Sequence, residues 1–201
     1  MGASGPYDLK VNAFPYVDGE RDCAEDCYRM MQFPAPHPGD SYAFDTLAEY
    51  RNARRELIML IRHALAETYA QFPGTKPLGL IDMSERNGST PGTAYNSLRH
   101  PQGTHVEGND MDIAYFQTSP DNHARPVCQN DGYFCTSETN TMNAEVTAFF
   151  MAKILASPRI RVIGVDTRLH DDISMRILSA SPSRSIARYS LTFGGAIFVS
   201  S

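Results

Sequence analysis

Apolar positions along the chain repeat with two different periods. Leu47, Tyr50, Leu57, Ile61, Leu65 and Tyr69 share one face of a helix. Thr46 followed three residues later by Glu49 is a capping-box pattern that predicts where this helix starts, and Phe72-Pro73-Gly74 predicts where it stops. Met142, Val146, Phe149, Phe150 and Ile154 predict a second helix, ended by Ser157-Pro158, and helical spacing already accounts for its aromatics as core. Between the helices, Leu78-Gly79-Leu80-Ile81-Asp82-Met83 is a short apolar run bounded by turn signals, which predicts a buried strand. Asn87 to Gly92 must then be loop. Asp112 to Phe116 predicts a second strand, Arg161 to Asp166 a third, and Ala196 to Val199 an edge strand after a Ser/Arg-rich stretch beginning at Ser179. Helices and strands in this order give an α+β domain over residues 41–201. Residues 1–40, with five prolines among scattered glycines, show no period and are expected to be an irregular extension wrapped on it.

Composition narrows the function classes. The net charge is -5 with no run of Lys or Arg, so the electrostatic footprint of a nucleic-acid binder is missing. The longest strongly apolar run, Leu57 to Ile61, is far short of the roughly 20 residues a membrane helix needs. The first residues lack a charged segment followed by an apolar one, so no signal peptide is expected in this chain. The four cysteines fall as two local pairs, Cys23/Cys27 and Cys128/Cys135, without a Cys-x-x-Cys. That arrangement favours disulfides, with the connectivity open, over a metal knuckle; four reduced thiols would argue for cytoplasm.

The chemistry concentrates in His105-Val106-Glu107-Gly108-Asn109-Asp110-Met111-Asp112-Ile113, directly after a loop rich in Gly, Ser, Thr and Pro. It sets an imidazole and a carboxylate seven positions apart, two of the three protein ligands that a hydrolytic zinc site takes. Asp110 reads as a partner that orients His105 or a loop amide. No Gly-x-Ser-x-Gly is present for a serine hydrolase, and Asp110 with Asp112 offers too few oxygens for calcium.

A helix, then Gly79 to Ser84, a Gly-rich loop, His105, and Gly108-x-Asp110-x-Asp112-Ile113 together resemble the penicillin-insensitive murein endopeptidases. These belong to a group of zinc peptidases that includes lysostaphin-type enzymes, D-Ala-D-Ala carboxypeptidases and the hedgehog signalling domain. The resemblance covers roughly residues 44–170. It implies a small, mainly antiparallel sheet flanked by two principal helices, zinc held by His105 and Asp112, hydrolysis of amides in peptidoglycan cross-links, and a periplasmic or secreted setting. Family members draw the third ligand and a catalytic histidine from a His-x-His on a strand near the C-terminus, and no residue after His170 is a histidine here. His170, placed after the third strand, is the leading substitute, although Arg168-Leu169-His170-Asp171-Asp172 also reads as a solvated turn. His100 is a candidate to hydrogen-bond a substrate or a metal-bound water, against the plainer reading of an exposed loop histidine. The alternative function is a non-catalytic or truncated relative acting as a cell-wall binding module. His37, His63 and His123 read as ordinary polar positions.

Overall fold

The computed structural model describes residues 29–118, 120–132, 134–180 and 196–200. Cys23 and Cys27 lie outside the described residues, as do the prolines and glycines before residue 29. The described chain begins with two strands, β1 (Met30–Gln32) and β2 (Tyr42–Phe44), followed by β3 (Asn52–Arg54) and the long helix α1 (Arg55–Gln71). Strand β4 (Leu78–Leu80) leads into the loop that ends at β5 (Asp110–Ala114). A hairpin, β6 (Cys128–Asn130) with β7 (Cys135–Asn140), precedes α2 (Ala144–Leu155), β8 (Val162–Gly164), α3 (Thr167–Ala180) and β9 (Ala196–Ser200).

The fold is α+β, with a mixed five-stranded sheet in the order β2-β4-β5-β9-β8 and three α-helices among the described residues. Only β2 and β4 pair in parallel; the other ladders of this sheet are antiparallel. One continuous core joins α1, α2 and α3 to the sheet, with Leu57, Ile58, Ile61 and Leu65 of α1 fully enclosed. Each such side chain contributes about 1.5–3 kcal/mol by leaving water. No helix among the described residues is long and apolar enough to cross a membrane.

Four expectations change. The capping box does not start α1, which begins nine residues after Thr46. A 3-10 turn at Ala48–Tyr50 and strand β3 come first, because the Asn52 side chain bonds the Glu49 and Ser84 carbonyls and β3 pairs with β1. The stretch before residue 40 is not all irregular, since it contributes β1 and Phe33, whose ring packs edge-on against Tyr42 at 5.1 Å and Phe44 at 5.7 Å. Residues 167–180 form a third helix instead of a turn: Leu169, Ile173 and Ile177 bury one face, and Asp166 accepts the Arg168 amide at 2.9 Å to cap it. Finally, β9 is an interior strand, because β5 pairs with it on one side and β8 on the other.

Candidate metal centre

Strand β5 is buried along its whole length, so its alternation places Asp110 and Asp112 on one face and Met111 and Ile113 on the other. Beyond β4 the ladder with β5 continues: Ile81 N–H donates to the Asp112 carbonyl and Asp112 N–H to the Asp82 carbonyl, both at 2.9 Å. Asp82 and Asp112 thus lie side by side on the two central strands. The loop from residue 84 to 109 then folds back over them. Thr90 donates its hydroxyl to the Thr104 carbonyl at 2.7 Å, Glu107 N–H donates to Gly88 at 2.8 Å, and Arg54 N–H donates to Gly108 at 2.9 Å.

His105 is set by unusual backbone. Its φ is 54° and that of Glu107 is 55°, a region costing a non-glycine residue about 1–3 kcal/mol unless its surroundings hold it there. The Asp110 carboxylate does so by accepting the His105 amide at 2.9 Å, the orienting role expected for it. Gly108, at φ 71°, lets the loop touch β3: a Cβ there would lie 2.7 Å from Arg54 N and 2.8 Å from the Ala53 carbonyl carbon. Gly108→Ala is therefore expected to destabilise the protein by about 2–4 kcal/mol, read from urea unfolding. A loss under 0.5 kcal/mol would contradict this packing.

One ring nitrogen each of His100 and His105 and one carboxylate oxygen of Asp112 lie within 4.8 Å of one another. Asp112 Oδ2 is 3.6 Å from His105 Nε2 and 3.8 Å from His100 Nδ1, and the two rings stack obliquely at 4.2 Å. Donors bound at 2.0–2.1 Å in a tetrahedron stand roughly 3.3 Å apart, so the two separations to Asp112 are near those of a metal site, and the three donors, none more than 4.8 Å from another, must draw together to hold an ion. Two imidazoles and a carboxylate suit a borderline divalent ion. His105 Nδ1 is buried without a hydrogen bond of ordinary geometry, while the backbone of Asp82 and Met83 near the ring favours its protonated form. Phe198 is the β9 residue opposite Asp112, and its ring meets His105 edge-on at 5.7 Å.

Behind the cluster, Asp82 is buried and accepts hydrogen bonds from His100 Nε2 at 2.9 Å, Arg99 Nε at 2.7 Å and the Thr46 hydroxyl. Burial pushes its carboxyl up, but these bonds outweigh burial and hold it at about 2. Asp112 goes the other way, raised to about 7 by burial and, to a lesser extent, by Asp82 and Asp110, with His100 opposing. Burial, then the His100 charge, lowers the His105 imidazole to about 3. The metal-free cluster accordingly holds its proton on Asp112 below about pH 7, while His105 stays neutral. A divalent ion must displace that Asp112 proton. Affinity for zinc as a test ion is expected to rise roughly tenfold per pH unit up to about pH 7 and then level off, measured by chelator competition. A profile flat between about pH 5 and pH 7 would contradict the assignment.

The structure brings together His105, Asp112 and His100 and leaves His170 elsewhere. His170 sits on α3, its Nδ1 3.0 Å from Asp171 Oδ1 and its Nε2 3.1 Å from the Ser174 hydroxyl. Because residues 167–180 are helical, those partners come from its own helix. His123 pairs with Asp45, His37 has its amide bonded to Asp40, and His63 lies on α1, where burial lowers its pKa. Asp82, Arg99 and Thr46 escaped the sequence reading. The available signal was a carboxylate inside the apolar run Leu78 to Met83, a position where an unpartnered charge is costly. Cys128 and Cys135 form a disulfide across the β6–β7 hairpin, and the Cys135 amide donates to Asp166 at 2.8 Å. No protein-family model matches this chain, and no curated protein matches it closely enough to identify a relative.

Proposed function

We propose that this protein is a zinc-dependent peptidase of the murein-endopeptidase type, with a hedgehog/D-Ala-D-Ala-peptidase-like fold, acting on amide bonds in peptidoglycan cross-links. The observation that carries the reading is the convergence of His100, His105 and Asp112 on the central strand β5 and the loop that leads into it. Zinc held there would supply a Lewis acid that acidifies a water molecule and polarises the scissile carbonyl. The chain's own residues do the rest of the positioning. His105 presents Nε2 because Asp110 fixes its backbone, and Asp112 presents Oδ2 from a strand held on both sides. His105 and Asp112 are buried, which strengthens electrostatic interactions inside the cluster. Three protein ligands leave the fourth position that hydrolysis requires. The Cys128–Cys135 disulfide fits the oxidising compartment in which a cell-wall substrate lies.

The test is to incubate zinc-loaded protein with cross-linked muropeptide dimers and follow their conversion to monomers by mass spectrometry. Conversion that disappears in His105→Ala supports a peptidase. Intact dimers after prolonged incubation with fully loaded protein contradict it. They favour the second reading, a metal-holding cell-wall binding module without hydrolysis, which Phe198 supports by placing a ring where a further donor would complete the catalytic set.

A further inference from the structure

We propose that Asp82 is the positioning residue that makes His100 a metal ligand through Nδ1, an inference that rests on the cluster being a metal site. A carboxylate only accepts hydrogen bonds. The side chains hydrogen-bonded to Asp82 come as donors: Arg99 through Nε, Thr46 through its hydroxyl and His100 through Nε2. With Nε2–H turned to Asp82, a neutral imidazole keeps its lone pair on Nδ1. That nitrogen is the one 3.8 Å from Asp112 Oδ2, on the metal side of the ring. The opposite tautomer would set a nitrogen lone pair against the Asp82 carboxylate and turn N–H toward the metal position, so His100 would cease to be a donor.

The arrangement also solves a mechanical problem. His100 stands in the long loop between β4 and β5, outside the sheet's ladders, whereas Asp82 is fixed to β5 through the Asp112 amide. Bonding His100 to Asp82 ties a loop ligand to the rigid sheet. Arg99 strengthens the tie from the neighbouring position: its guanidinium engages Asp82 and lies over the Tyr50 ring at 5.4 Å. A carboxylate that orients a ligating histidine is worth about 10–100-fold in metal affinity, because it fixes both tautomer and ring direction and raises the basicity of the ligating nitrogen.

Two measurements test this, the first without any metal. Nitrogen-15 chemical shifts of the His100 ring in metal-free protein at about pH 8, above the ordinary imidazole range, report the tautomer directly. The Nε2–H form is expected in the unmutated chain, and a mixture of both forms in Asp82→Asn. A purely structural role for Asp82 would leave the tautomer unmoved. The second is zinc affinity by chelator competition, with the melting temperature of each metal-free variant as the check on folding. Asp82→Asn is expected to bind zinc about 10–100-fold more weakly while keeping a folded-state melt. The Nδ1–H tautomer in the unmutated protein, or unchanged affinity in a folded Asp82→Asn, overturns the proposal. If the unmutated protein binds no zinc at all, the metal-site reading fails and the ligand role of His100 falls with it. A single Nε2–H tautomer in that case shows that the failure lies in the metal site, with Asp82 still orienting the ring.

Discussion

Asp112→Asn is expected to have two opposite effects: zinc binding falls by at least about 100-fold, and the metal-free protein becomes more stable at about pH 8. The first effect follows from ligand count. About 10–16 kcal/mol of apparent zinc binding by four ligands corresponds to roughly 2.5–4 kcal/mol for each, or about two to three powers of ten in affinity. The second follows from where Asp112 sits. Its carboxyl is buried in β5 beside Asp82 and Asp110, which raises it to about 7, whereas in an unfolded chain it ionises near 3.8. Folding therefore protonates or strains this group as pH rises through the interval between those values. Stability present below the unfolded value is lost progressively up to about pH 7 and stays lost above it. The neutral asparagine avoids that loss, giving a gain of up to roughly 4 kcal/mol at alkaline pH and none in acid. His105 contributes the reverse slope, its folded value of about 3 lying below the unfolded one, so stability falls as the solution is acidified from about pH 6.5 toward 3. Urea unfolding of the two metal-free proteins at two pH values separates these contributions. Equal stability at about pH 8 would contradict the placement of a buried carboxylate, and retained zinc affinity would remove Asp112 from the site.

Phe198→His is expected to raise zinc affinity by about 100-fold or more. Directly opposed residues on neighbouring antiparallel strands share a face, with Cβ atoms about 4.5–5.5 Å apart. Phe198 is opposed to Asp112, and its ring already reaches His105. An imidazole there stands beside the cluster and adds a fourth donor, converting an open site into a closed one. The cost is modest, because Phe198 is only partly buried, and about 1–2 kcal/mol of packing is lost. Zinc competition with the folded variant checks the result. An affinity equal to that of the unmutated chain would mean that the β9 side chain does not face the metal position.

This substitution also bears on the resemblance to the murein endopeptidases. The family pattern predicts a C-terminal strand carrying two histidines. Strand β9 lies next to the strand of Asp112 and carries Ile197, Phe198 and Val199, without a histidine. Its position beside β5 was not legible, because four consecutive apolar residues at the end of a sequence look the same whether a strand has one neighbour or two. The pair His105 and Asp112 was legible from spacing. Their nearness in space was not determined by it, since the loop reverses at three non-glycine residues with positive φ, Asn96, His105 and Glu107, which no periodicity marks. His100 was visible as a residue and hidden as a ligand, because its direction depends on Asp82, seventeen or more positions away in the sequence from either Arg99 or His100.

The two predicted helices survive as α1 and α2 because their apolar stripes are long enough to override everything local. The start of α1 was misplaced for a local reason: Thr46 does serve as a hydrogen-bond donor, but to the Asp82 carboxylate across the sheet instead of capping a helix amide. Helix α3 escaped because the polar run Arg168 to Asp172 conceals an apolar stripe, Leu169, Ile173 and Ile177, that begins within it.

Elemental analysis of the purified, unmutated protein, with affinity fixed by competition against a chelator, tests the central claim most directly. The three-residue site predicts about one zinc per chain, bound tightly enough to survive dialysis and lost in Asp112→Ala. Substoichiometric zinc that a weak chelator strips as easily from the unmutated protein as from the variant would contradict it.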